Sequence, residues 1–298
     1  MNKIKFRIIK KIFFISLLVL GIASCTSENQ NSTNTEAGSN LSEKNIADVS
    51  YGTNQSQKYD IYLPANRTKD TPIILLLHGG AWKAGQKEEL NSYVNLIKAS
   101  WKNVAIVNMN YRLSSNANNI HHNEIMSDIT MAINHVLAKL NDYQISPNMG
   151  IVGASAGGQL AMIYAYKYNT NKTIKCVGSL FGPTIINDWE WYNSNNIFLG
   201  SNIGVILTEY VGQTWDETIY KSVSPYWNIT SSSQPTILFH GNLDPIVPVY
   251  QSQWMNAKLN TLNVPHEYHE YIAFHGFDGT QSQNVTTKLV AFFKVHLK

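Results

Sequence analysis

Cysteine is nearly absent from this sequence: Cys25 and Cys176 are the only two among 298 residues. A framework of disulfides is therefore excluded, and Cys176, inside the apolar stretch "IKCVGSLF", reads as a small buried hydrophobe. Charge is scarce as well, at 14% against a usual share of roughly 25%. With 44% apolar and 11% aromatic residues, the chain is far too apolar to be disordered, and Asn, Ser, Thr and Gln supply much of its polar surface. No apolar run reaches the ~20 residues that a membrane-spanning helix needs. No internal repeat is visible, and "HHNE" at His121–Glu124 matches no zinc spacing, so no metal site is expected.

The amino terminus lacks acid altogether. Lys3, Lys5, Arg7, Lys10 and Lys11 precede the apolar run Ile12–Ile22, and small residues lead to Cys25. A basic start, an apolar centre and a small-residue cleavage site describe a secretory signal peptide over residues 1–24. "IASC" resembles the bacterial lipobox, which implies cleavage before Cys25 and a lipid on its sulfur. On that resemblance the protein is exported, lipid-anchored to a membrane and resident in the bacterial cell envelope. Residues 25–45, almost without large apolar side chains, read as a disordered tether. Residues 46–298 form the folded body. The formal charge of +3 includes the five signal cations; without them 18 basic residues face 20 acidic ones. No basic stripe remains to suggest nucleic acid.

The body alternates strand and helix signals. "PIILLLHGG", "NVAIVNMNYR" and "MGIVGAS" are continuous apolar runs, as expected of strands buried on both faces. "HNEIMSDITMAINHVLAKLNDY" repeats apolar residues at helical spacing. Later strands fall in "KCVGSLFGP", "PTILFHGN" and "EYHEYIAFHG", with helices near 250–261 and 283–296. This order predicts an α/β fold, a mostly parallel central sheet with helices on both faces. Residues 184–234, rich in Trp, Tyr, Asn and Gly, interrupt the rhythm. They read as an irregular, lid-like insertion, either lining a pocket or packing as a satellite core.

Ser155 stands in G-A-S-A-G, between a predicted strand and a predicted helix. G-x-S-x-G in that setting marks a nucleophile on a sharp turn, with small residues two before and two after it. "HGGAW" follows another strand and replaces the third glycine of an HGGG-type oxyanion loop by Ala81. Gly80, Ala81 and Ala156 are the candidate backbone donors; alanine is acceptable in place of the glycine if its φ stays negative. His275, in the loop after the last predicted strand, is the candidate base. Asp244, four residues beyond a strand end, is the acid that orients it. His78 and His240 precede glycine in turns and read as structural. Asp278 is too near His275 in sequence to reach it, and Glu270 lies within a strand. Trp82, Trp189 and Trp191 are the candidate substrate-binding aromatics.

Together "HGGAW", "NYRL", "GASAGG", "HGNLDPIVP" and "HGF" resemble the esterase–lipase families of the α/β-hydrolase fold. The likeness is greatest to the bifunctional feruloyl and acetylxylan esterase-like group, which also resembles the hormone-sensitive-lipase-like esterases. The resemblance implies a serine carboxylic-ester hydrolase in which Ser155 attacks an acyl carbonyl, His275 takes its proton and Asp244 holds the imidazole. No cofactor is implied, and the substrate is a small-molecule or polysaccharide ester, acetylated or feruloylated. An arylformamidase or peptidase could use the same residues. A catalytically inactive hydrolase fold that binds at the cell surface is the alternative outside enzymes.

Overall fold

A computed structural model describes residues 40–297. Its central sheet has eight strands. These are β1 (Lys44–Ser50), β2 (Lys58–Leu63), β3 (Ile73–Leu77), β4 (Ala105–Met109), β5 (Met149–Ala154), β6 (Ile174–Leu180), β9 (Thr236–Gly241) and β10 (His266–Tyr271). β7 (Ile197–Phe198) and β8 (Ser201–Asn202) pair apart from them. The order across the sheet is β1-β2-β4-β3-β5-β6-β9-β10. β2 runs antiparallel to both of its neighbours, and every other pairing in this sheet is parallel.

The continuous apolar runs are buried on both faces, because helices cover both. In β3, Ile73, Leu75 and Leu77 join one core while Ile74 and Leu76 join the other, as the two-residue period of a strand requires. The first core takes the apolar stripes of α2 (His122–Ala138), α4 (Ala156–Ile163) and α9 (Tyr250–Thr261). The second takes those of α1 (Asn91–Ser100) and α10 (Gly279–His296). α3 (Leu140–Tyr143) follows α2 after the single residue Lys139.

Two boundaries differ from the sequence pattern. The body begins before residue 46: β1 starts at Lys44, the Leu41 carbonyl accepts the Asn66 N–H at 2.8 Å, and Arg67 Nη1 donates to the Ser42 carbonyl at 2.7 Å. β1 is mostly exposed, so backbone pairing with β2 defines it and no apolar alternation marks it. The insertion, in turn, is not irregular. It folds into α5 (Trp189–Tyr192), the β7–β8 hairpin, α6 (Ile203–Val211), α7 (Glu217–Ser222) and α8 (Pro225–Asn228). These pieces are too short to display a period in the sequence. The expected signal peptide, Cys25 and the tether up to residue 39 lie outside the described residues.

Candidate active site

β5 ends at Ala154 and α4 starts at Ala156, leaving Ser155 alone on the turn with φ 52° and ψ −121°. A side chain at Gly153 would collide with the carbonyl of Gly157, and one at Gly157 with the carbonyls of Leu77 and His78. The small residues around Ser155 are therefore required by the close approach of three backbone segments. A non-glycine residue in this region carries strain of order 1–3 kcal/mol. The return is geometric: the hydroxyl is lifted clear of the sheet, beside the positive end of α4.

The loops following β9 and β10 leave the sheet at the same end as β5, because all three strands run parallel. They bring Asp244 and His275 to Ser155. His275 Nε2 lies 2.8 Å from Ser155 Oγ, and His275 Nδ1 lies 2.6 Å from Asp244 Oδ2. Nδ1 donates to the carboxylate, so Nε2 is the nitrogen left to accept the serine proton. Asp244 Oδ1 accepts backbone N–H groups of Ile246 at 2.8 Å and Val247 at 3.0 Å. Burial pushes the Asp244 carboxyl upward, but hydrogen bonds from His240, His275 and the backbone outweigh it and hold the group well below the usual carboxylate range.

His240 is the residue whose part the sequence concealed. Its Nε2 lies 3.2 Å from Asp244 Oδ2 and 3.0 Å from the Val247 carbonyl, and its Nδ1 lies 2.6 Å from Ser252 Oγ. The carboxylate therefore rests between two imidazoles. The spacing His240–Asp244 within "FHGNLD" was the one available signal. Asp278 has other work, capping α10 by accepting the Gln281 N–H at 2.8 Å.

The loop after β3 departs from expectation. Gly80, Ala81 and Trp82 have φ of 101°, 50° and 60°, so Ala81 does not keep a negative φ. The cause is a tight turn in which the N–H groups of Lys83 and Ala84 both donate to the Gly80 carbonyl, at 3.1 and 2.9 Å. Among the described residues, no loop or turn carbonyl accepts from the backbone N–H groups of Gly80, Ala81 and Ala156.

A pocket of about 20 Å³ opens at Ser155. Trp82, Trp191, Ile206, Leu207, Ile246 and Val247 are among its walls. Trp191 is buried and donates Nε1–H to the Ile246 carbonyl at 2.8 Å. Trp189 does not line the pocket: it is 50% exposed and packs against Tyr192 and Trp215. Two residues of helix turn a side chain through about 200°, so 189 and 191 cannot share a face. The wall residues of α6 carried no motif and could be read only as part of an apolar run.

The BD-FAE family model matches residues 59–259. The chain belongs to the BD-FAE family. Esterase LipC of Mycobacterium tuberculosis is 21% identical over 247 residues, covering 77% of this BD-FAE chain and 59% of LipC. The bifunctional GH43-CE of Bacteroides eggerthii superposes with a TM-score of 0.72 at 20% identity, covering 85% of this chain and 38% of its own. The acetyl ester-xyloside bifunctional hydrolase of Caldicellulosiruptor lactoaceticus gives 0.66 at 20% identity, covering 87% and 98%. The chain thus spans about three fifths of LipC and less than half of the GH43-CE protein. These likenesses identify the α/β-hydrolase fold.

Two further histidines of this BD-FAE chain, His78 and His122, are buried. His78, stacked on Tyr111 at 4.3 Å, has its pKa lowered to about 4 chiefly by burial. His122 opens α2 and is lowered to about 3, again mainly by burial. Both values lie below the ~6.5 of an unfolded histidine. As pH falls, the unfolded chain takes up these protons first. The stability present above pH 6.5 is thus lost as the pH descends toward 4 and 3. Urea unfolding at pH 4.5 should show a loss of about 2–3 kcal/mol per histidine relative to pH 7. His122→Gln, weaker at pH 7, should decline less between the two values; an equal decline in both proteins would contradict the assignment.

Proposed function

We propose that this BD-FAE member is a serine carboxylic-ester hydrolase that removes short acyl groups, acetyl above all, from small-molecule or polysaccharide esters. The carrying observation is the row Ser155–His275–Asp244, with contacts of 2.8 and 2.6 Å, at the mouth of a pocket of only about 20 Å³. His275 Nε2 takes the hydroxyl proton as Ser155 Oγ bonds to the acyl carbonyl carbon. The carbonyl oxygen becomes an oxyanion facing the N–H groups of Gly80, Ala81 and Ala156. Collapse breaks the ester C–O bond, and His275 returns the proton to the leaving alcohol. Water, deprotonated by the same nitrogen, then attacks the acyl-enzyme and releases the acid and free Ser155. No cofactor enters the scheme.

Acyl length follows from the walls. The lining beside Ser155 is apolar and the free space there is small, which supports a short acyl group over a long one. Each excess methylene costs on the order of 1–3 kcal/mol in the transition state. The printed name of the Caldicellulosiruptor neighbour, with its acetyl ester and xyloside, supports the same class. The amino-terminal pattern supports an exported enzyme anchored by lipid at Cys25, facing esters outside the cytoplasm.

The test pairs labelling with kinetics. A small fluorophosphonate should modify Ser155, seen by peptide mass spectrometry. p-Nitrophenyl acetate should be turned over with kcat/KM at least about 100-fold above the octanoate. Labelling elsewhere, or octanoate matching acetate, would refute the proposal.

A further inference from the structure

Gln159 lies one turn of α4 beyond Ser155 and is fully buried. Its Oε1 accepts two hydrogen bonds, from Trp82 Nε1–H at 2.9 Å and from the Tyr210 hydroxyl at 2.9 Å. Its Nε2 donates to the Val223 carbonyl at 2.8 Å. The Tyr210 ring stacks on Trp82 at 4.2 Å and 13°. The Tyr210 oxygen accepts from His122 Nδ1 at 2.6 Å, and the Tyr168 hydroxyl donates to His122 Nε2 at 3.0 Å. Because Tyr210 gives its proton to Gln159, every polar atom in this row has one direction, and none can turn without leaving another unpaired.

The row ends on a strained element. Ala81 and Trp82 hold φ of 50° and 60°, a region that costs a non-glycine residue roughly 1–2 kcal/mol. Ala81 offers no side chain by which to hold the turn. Trp82 does, gripped on its face by Tyr210 and at its edge by Gln159, while its carbonyl accepts the Ser114 N–H at 2.8 Å. We infer that Gln159 is the positioning residue of the oxyanion loop, acting through Trp82, and that Tyr210 ties that loop to α6, whose Ile206 and Leu207 wall the acyl pocket. Lys83 Nζ, 2.6 Å from Glu209 on the same helix, is a second tie. The inference rests on the ester-hydrolase reading of Ser155. One helix of the insertion thus serves two ends at once, closing the acyl pocket and bracing the donors that receive the oxyanion.

Trp82→Phe keeps an aromatic face toward Tyr210 but removes the N–H along with part of the ring; Gln159→Met keeps the approximate volume and Trp82 intact and removes the acceptor. On p-nitrophenyl acetate each should lower kcat by about 10–100-fold, the range expected of a small misplacement, with KM within about twofold. Affinity for 1,1,1-trifluoroacetone, which adds Ser155 Oγ and places an oxyanion in the same hole, should fall by the same factor as kcat. A purely structural role would lower the melting temperature without that matched loss. If Gln159→Met fails to fold, Trp82→Phe decides. An active wild type whose Trp82→Phe variant keeps kcat and ketone affinity overturns this inference alone. A wild type inert to esters and to the ketone overturns the ester-hydrolase reading and this inference with it.

Discussion

Ser155→Ala should lower kcat for acetyl ester hydrolysis by on the order of 10⁵–10⁶-fold, leaving KM and the melting temperature nearly unchanged. The size follows from what one atom does. On the proposed mechanism Oγ is the atom that forms the acyl bond, and its proton goes to His275 Nε2, 2.8 Å away. What survives is water attack helped by binding and by the loop donors, worth about 10³–10⁴ over water. Fold is preserved because alanine inherits the same φ of 52° and leaves no buried donor without a partner. Steady-state rates with circular dichroism melts decide the matter; a variant within tenfold of wild type would place the nucleophile elsewhere.

Asp244→Asn should cost about 10⁴-fold in kcat. Here the direction can be derived atom by atom. Oδ1 accepts two backbone N–H groups, from Ile246 and Val247, so the amide oxygen of an asparagine must occupy that position. Its NH₂ then faces His275 Nδ1 and His240 Nε2, where the carboxylate had accepted from both. His275 is driven to carry its proton on Nε2, pointing at Ser155, and the lone pair that receives the serine proton is gone. His240 loses an acceptor as well, so stability falls with activity. kcat/KM measured beside urea unfolding separates the two, and a variant within tenfold of wild type would show that the carboxylate does not orient the base.

How much of this was legible beforehand varied with the kind of signal. Apolar runs such as "IILLL" state burial on two faces directly, and the crowding of glycine around Ser155 states a close backbone approach. Asp244 and His275 could be placed because strand ends are visible and parallel strands deliver their loops to one end. β1 escaped, since an exposed edge strand held by backbone pairing leaves no trace in composition. The positive φ of Ala81 escaped too: alanine tolerates it at a cost, and the compensation comes from Gln159 and Tyr210, 78 and 129 positions further along the chain. Trp189 and Trp191 look alike in the sequence because aromatic content says nothing about which side of a single helical turn each occupies. Ile206, Leu207 and His240 matter through distance in space, which no local pattern reports.

The narrowness of the pocket has a consequence for where such an enzyme can safely work. A protein carried on a lipid at its amino terminus would spend its life beside a dense layer of fatty-acyl esters, including the one that holds it. On the proposed short-acyl preference, walls built from Trp191, Ile206 and Leu207 would favour an acetyl group over a fatty chain. Hydrolysis would spare the bilayer and the anchor alike, and the hydrolase would not cut itself loose.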